Sequence, residues 1–113
     1  MLIRLDAAFE IALGAVLVVT GASGALDGSD FPWPVGSVVL LVVGVALIAL
    51  GLAIWSRRVG LRQLALGNSV SAVAGIVWLA AVSGFSAAGT AVVAITVGGL
   101  ACLAAAQAAT LRA

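Results

Sequence analysis

Four long, almost uninterrupted apolar stretches divide the 113-residue chain, at about 7–26, 35–55, 64–83 and 88–110. Each is close to the roughly 20 residues with which an α-helix, rising about 1.5 Å per residue, crosses about 30 Å of hydrocarbon. A strand of a membrane barrel needs only about 10 residues and alternates in polarity, so the continuity of these stretches indicates helices. The sequence therefore predicts an all-α protein, an integral membrane four-helix bundle formed by a single transmembrane domain, 1–113.

Composition excludes several other classes of protein. The chain is 65% hydrophobic and only 8% charged, far from the roughly 25% charged residues of soluble domains. Five Arg against four acids provide no basic surface from which nucleic acid could release counterions. With no His and one Cys, the chain cannot build a His/Cys metal site or an internal disulfide. We therefore expect no metal, no cofactor and no nucleic-acid partner.

The first apolar stretch has one competing interpretation. The run "IALGAVLVVT" followed by "GASGA" could be the apolar core and small-residue cleavage site of a secretory signal. The acidic "DAAFE" before it is unlike the cationic start of such signals. We therefore interpret residues 7–26 as a retained first span.

The arginines fall on one side of a chain with four spans. They lie at the N-terminus, in the middle loop and at the C-terminus, whereas Asp27 and Asp30 lie in the first turn, "DGSDFPWP" (27–34). The five arginines are Arg4, Arg57, Arg58, Arg62 and Arg112. Because basic residues near span ends stay in the cytoplasm, the pattern predicts both termini inside. The predicted location is the cell membrane, as a multi-pass protein of a bacterial inner membrane.

Small residues recur at helical spacing within the apolar stretches. In membranes such residues let helices approach closely, so we predict a tightly packed bundle in which Cys102 is one small packing residue. The predicted packing glycines are Gly14, Gly21, Gly44, Gly67, Gly75 and Gly98. "VVLLVVGVAL" (38–47) and "VVAITVGGLA" (92–101) share a Val-Val and Val-Gly frame. This frame fits two tandem helical hairpins, and it fits chance similarity among Ala/Gly/Val-rich spans equally well.

Glu10 is the one charged residue inside these apolar stretches. It lies six residues, or about 9 Å of helix, beyond Arg4, and it shares a helix face with Asp6 and several glycines. A glycine-lined face meets another helix, so we expect the carboxylate to point into the bundle or an oligomer interface. The candidate intramembrane polar cluster comprises Glu10, Asn68, Ser71, Arg62 and Gln107.

Two hypotheses describe that cluster. Burial favours the protonated form of a carboxyl group, so Glu10 could take up and release a proton. Alternatively, Glu10 could be a structural device that pairs helices through Arg62 or Asn68. Like charges at Asp6 and Glu10, one turn apart, would favour a proton on Glu10 in either case.

One family resemblance follows from these features. The length, the four spans, the first-span Glu and "FPWPVGSVV" at the second span resemble the small multidrug resistance transporters, in which such a Glu couples proton and cation by alternating access in a dimer. The resemblance implies that role for Glu10 alone. The third span, "GNSVSAVAGIVWLAAV", lacks the family's Tyr-led signature, and the one-sided arginines argue against its dual topology. The chain is also similar to uncharacterised Ala/Gly-rich four-span proteins of high-GC bacteria, which implies no activity.

Two functions are therefore expected as alternatives. The first is a membrane protein without catalytic activity that packs with itself or serves as an accessory subunit of a larger membrane complex. The second is an oligomeric proton-coupled small-molecule transporter or channel that uses Glu10. The loops are too short for a catalytic domain, and no nucleophile lies near a base, so we expect no enzyme. A water-filled cavity reaching Glu10 would favour transport, and dry packing would favour the accessory role.

Overall fold

The computed structural model describes residues 2–32 and 35–112 and contains four helices. The helices are α1 (Leu2–Ser23), α2 (Ser37–Trp55), α3 (Leu61–Ala81) and α4 (Ala87–Arg112). The predicted all-α class is confirmed. Two residues of the predicted first turn, Trp33 and Pro34, lie outside the described residues.

Helix α1 begins at Leu2, before the apolar stretch predicted from about residue 7. Hydropathy marks the apolar part of a helix, whereas the helical backbone continues through the charged residues Arg4 and Asp6. The helix is followed by Gly24, whose φ of 79° lies in the left-handed region. Glycine adopts that region without steric cost, so it ends the helix at this point.

Helix α2 ends in a Schellman motif. The Arg57 N–H donates to the carbonyl of Ile54 at 2.9 Å, and the Arg58 N–H donates to that of Ala53 at 3.1 Å. These are the two hydrogen bonds that define the motif, in which the residue after the cap is normally Gly. Here that residue is Arg57, with φ 59°. A left-handed conformation costs a residue with a Cβ atom roughly 1–2 kcal/mol.

The four helices form two hairpins joined through α1. Helix α1 packs along α2, and α3 packs along α4, while α1 also contacts α3 and α4. Within the described residues, no Cα atom of α2 lies within 8 Å of one in α3 or α4. We call the end with the start of α1 and the end of α2 the Asp6 end, and the opposite end the Asp30 end. The two hairpins agree with the expected architecture, and an internal sequence repeat stays a prediction.

Glycines lie where α1 crosses α2. A Cβ atom on Gly14 would lie 2.5 Å from the carbonyl oxygen of Gly44, and one on Gly44 would lie 2.7 Å from that of Gly14. Gly21 and Gly75 also face a neighbouring helix, because added Cβ atoms would lie 3.2 Å from Leu40 Cβ and 2.5 Å from Val97 Cγ2, respectively. The backbones of α1 and α2 therefore touch because neither glycine has a side chain.

Three predicted packing residues do not pack within the chain. Cβ atoms on Gly67 and Gly98 would meet no atom within 4 Å, and Cys102 is exposed. The packing prediction is wrong for these three positions. A four-residue interval marks a stripe along a helix, but helices with several such stripes turn only one of them toward a neighbour.

The outer surface of the bundle is apolar. Helices α2, α3 and α4 are each long and apolar enough to cross a membrane. Large apolar side chains point outward from them, among them Val38, 72% exposed, and Ile95, 71% exposed. Such a surface is typical of contact with lipid or another apolar partner, and it is compatible with a membrane location. Helix α1 differs in carrying three charged residues in its first half, Arg4, Asp6 and Glu10.

Candidate functional site

A buried polar cluster joins α1 to the second hairpin at the Asp6 end. The side-chain amide of Asn68 donates to Asp6 Oδ2 at 2.6 Å, and that of Gln107 donates to the same oxygen at 2.6 Å. Asn68 Nδ2 also lies 3.1 Å from Gln107 Oε1, to which it donates. Asp6 and Gln107 have no exposed surface at all. Asp6, Asn68 and Gln107 come from α1, α3 and α4, so their hydrogen bonds join three helices. We call these three residues the inner tie.

The local sequence explains why these side chains meet. Asn68 lies between Ala65 and Ala72 on the buried face of α3, and Gln107 follows Ala104 on the buried face of α4. These alanines are small enough to let the two helices approach α1. Short amide side chains can then reach a carboxylate on the facing helix.

Asp6 keeps one oxygen without a partner. Asp6 Oδ1 is buried, and no described residue hydrogen-bonds to it. Burying a polar atom without a hydrogen bond costs free energy. Within residues 2–32 and 35–112 there is also no ion pair, so Asp6 is held by amide dipoles and has no basic partner there.

Glu10 lies one turn beyond Asp6 on the same face of α1. It is only 5% exposed, so it faces the bundle, but the described residues offer it no hydrogen bond. Two of its expected partners, Asn68 and Gln107, bind Asp6 instead, and Arg62 is exposed. The expectation that these residues hold Glu10 is therefore wrong. A helical wheel assigns a residue to a face, but it does not fix the level at which neighbouring helices cross.

Asp6 is the site residue that sequence reasoning left out of the candidate cluster. From sequence, Asp6 is placed on the face of Glu10 and only its charge is considered, not its hydrogen bonds to other helices. The available signal was the four-residue spacing from Glu10 on a face that also holds Gly14 and Gly21.

A cavity of about 360 Å³ lies between the hairpins. Its walls are largely apolar and come from all four helices, and Glu10 and Ser71 both line it. Among the described lining residues, Glu10 is the one with a formal charge. Ser71, the remaining member of the predicted cluster, therefore lies on the same cavity as Glu10 but outside the inner tie.

The hairpins are joined a second time at the Asp30 end. The Ser86 hydroxyl donates to Asp30 Oδ1 at 2.5 Å, and the Ser86 N–H donates to the Asp30 carbonyl at 3.0 Å. Beside these bonds, Phe31 and Phe85 pack edge to face with ring centres 6.4 Å apart. We call the contacts of Asp30 and Phe31 with Ser86 and Phe85 the outer tie. The hairpins are thus bonded at both ends of the bundle, with the cavity between the two ties.

Comparison with protein families, with curated proteins and with solved structures gives no match to this chain. In the part of the chain that the structure describes, no three His, Cys, Asp or Glu residues are grouped so that they could hold a metal ion. The function must therefore be inferred from the inner tie, the cavity and the carboxylate of Glu10.

Proposed function

We propose that the protein crosses the membrane four times with both termini in the cytoplasm, and that it binds and carries a small lipophilic cation in the inter-hairpin cavity. Glu10 supplies the counter-charge. The observation that carries this proposal is a single carboxylate on the wall of an otherwise uncharged and largely apolar cavity. In the proposed orientation the Asp6 end faces the cytoplasm.

The proposal follows from the cost of an isolated charge. An ionised carboxylate in apolar surroundings is unfavourable by at least a few kcal/mol unless it gains a proton or a cation. No basic side chain lines the described part of the cavity. A proton and an organic cation would therefore compete for Glu10, and the indole of Trp78 on the same wall can add a cation–π contact.

The size of the cavity and its two ties also support a carrier. A volume of about 360 Å³ is within the range of small-molecule sites, roughly 300–1,000 Å³. The hydrogen bonds between side chains of the two hairpins lie at their two ends, and no Cα atom of α2 lies within 8 Å of one in α3 or α4 in the described residues. Opening one tie while the other holds would expose the cavity to one side of the membrane.

The proposal is tested by binding of tetrabutylammonium, a lipophilic cation, to the purified protein in detergent, followed by titration calorimetry. We expect saturable binding that weakens as the pH falls, because protons occupy Glu10. Glu10→Gln should remove binding, and Thr96→Val, which changes another cavity residue without changing charge, should retain it. Equal binding by the wild type and Glu10→Gln, or no binding by the wild type, would refute the proposal.

A second candidate function rests on the outer face of α2. Val38, Val42 and Val45 are exposed there, and no described helix covers them. An accessory subunit without catalytic activity, packed on itself or on another membrane protein, would bury this face. Purification in mild detergent with mass spectrometry of co-purifying chains tests it. A single species of monomer mass would exclude this second function.

A further inference from the structure

Exposed charges are separated between the two ends of the bundle. All five arginines are exposed, and they lie at the start of α1, in the connection of α2 to α3 and at the end of α4. These positions share the Asp6 end, because the hairpins are antiparallel. The acids of that end, Asp6 and Glu10, are buried, and Asp27 and Asp30 lie at the opposite end. The Asp6 end therefore presents positive charge without exposed acids among the described residues.

Two of the residues at that end, Arg4 and Trp55, contact each other. The Arg4 guanidinium lies 5.1 Å from the centre of the Trp55 ring, a cation–π distance. Trp55 is itself 48% exposed, at the last turn of α2. A guanidinium has five N–H donors, so Arg4 can also donate to an anion beside the ring. Tryptophan at the end of a span is also typical of the lipid head-group level.

Arg57 has an unusual backbone conformation. It occupies the left-handed position of the Schellman motif that ends α2, where Gly is normally found. A strained backbone at such a position points to a function for the side chain. Because the N–H groups of Arg57 and Arg58 cap the helix, the Arg57 guanidinium is not needed for the motif itself.

We propose that Arg4, Trp55 and Arg57 bind the phosphate of an anionic phospholipid in the cytoplasmic leaflet. The two guanidinium groups donate to the phosphate oxygens, and the indole lies beside the glycerol and upper acyl region. This inference rests on the proposed orientation in the membrane, but it does not depend on Glu10 or on cation binding. Basic residues at the end of a span attract anionic lipids, and the contact of Arg4 with Trp55 places one such residue beside an aromatic ring.

The test compares phosphatidylglycerol with phosphatidylcholine, added to the purified full-length protein, using native mass spectrometry for binding and thermal unfolding for stability. We expect the wild type to prefer phosphatidylglycerol. Arg4→Gln should weaken that binding about fivefold, the scale expected for one basic side chain at a membrane surface. Arg112→Gln removes the same charge from the end of α4 and should change binding less than twofold.

Arg57→Gly gives the sharpest result, because its two effects have opposite signs. Without anionic lipid the variant should unfold at a higher temperature than the wild type, since Gly accepts the left-handed conformation. With phosphatidylglycerol it should lose most of the lipid-dependent gain in unfolding temperature. Trp55→Leu should weaken lipid binding while the five arginines remain.

Three results would overturn the inference. These are equal losses for Arg4→Gln and Arg112→Gln, a full phosphatidylglycerol preference in Arg57→Gly, and displacement of the lipid by millimolar inorganic phosphate. The last result would identify a soluble phosphate compound as the ligand. Failure of tetrabutylammonium binding would leave these lipid measurements unaffected, so the two proposals fail separately.

Discussion

Asp6 is a buried carboxylate that two side-chain amides hold. An amide donates a hydrogen bond but does not neutralise a charge, so the inner tie combines good hydrogen bonding with an uncompensated carboxyl group. Glu10, one turn away, shows the reverse, since it lines the cavity without a hydrogen bond to a described residue. Asp6 therefore joins helices, whereas Glu10 faces the cavity.

We expect Asp6→Ala to destabilise the protein more than Glu10→Ala does. Removing Asp6 leaves the buried amides of Asn68 and Gln107 without their acceptor, a loss of about 1–3 kcal/mol in the free energy of unfolding. Glu10→Ala removes no such bond and takes away a buried carboxylate without a hydrogen-bond partner among the described residues, so it should be neutral or stabilising. Denaturant titration in mixed micelles measures both. Equal losses would show that Asp6 is not the centre of the tie.

A second prediction concerns Asp27, in the loop after α1. The Ser29 hydroxyl and N–H both donate to Asp27 Oδ1, at 2.6 and 2.8 Å. These bonds lower the pKa of the exposed Asp27 carboxyl below its ordinary value of 3.8. Because the folded state holds the ionised form more strongly, its stabilising contribution is complete above the ordinary pKa. The contribution is lost as the pH falls through the lowered pKa.

The measurement is the difference in unfolding temperature between the wild type and Asp27→Ala. We expect a constant difference above about pH 5 that shrinks below about pH 4. Ser29→Ala is the matched control, because it removes the hydroxyl donor and should reduce the pH dependence while keeping the carboxyl group. A difference that stays constant to about pH 2 would contradict the assignment.

Between whole elements, the tightest contact is that of α1 with α2. We predict that Gly14→Ala destabilises this hairpin by about 1–3 kcal/mol, the usual cost of overpacking, because the new methyl group would lie 2.5 Å from the Gly44 carbonyl. Gly67→Ala is the control, since nothing lies near its Cβ position. It should be neutral or stabilising by up to about 1 kcal/mol through helix propensity. Thermal unfolding of both variants in one detergent measures the difference. Equal losses of stability would contradict the close contact of α1 with α2 at Gly14.

Sequence patterns predicted the helices better than their contacts. The apolar stretch at 35–55 matches α2, at Ser37–Trp55, because continuous hydropathy is a local property of the sequence. Glycine spacing did not distinguish Gly44, where a Cβ atom would meet the backbone of Gly14, from Gly98, where a Cβ atom would meet no atom within 4 Å. That difference depends on helix rotation in the assembled bundle. The residue that Asn68 contacts is likewise set by how the helices are assembled, which the sequence pattern does not give.

In the molecule as a whole, exposed basic and acidic side chains lie at opposite ends of the bundle, which supports the proposed orientation. We predict that a cysteine at Ser29 is labelled only from outside the cell and one at Ser56 only from the cytoplasm. Both positions are exposed, and they lie at opposite ends of the bundle. Cys102 should first be replaced by Ala, because it is exposed and would react itself. Labelling of Ser29→Cys from the cytoplasm alone would show that the topology is the opposite of the proposed one.

The inner tie has a consequence for biosynthesis. Asp6 and Gln107 are 101 positions apart in the chain, so their bond cannot form until the chain has been synthesised through Gln107. The first hairpin is complete much earlier and can pack through its glycines while the second is still being synthesised. During that interval Asp6 is without both of its amide donors. In the proposed membrane orientation, insertion of the nascent chain must therefore accommodate an acid whose partners have not yet been made.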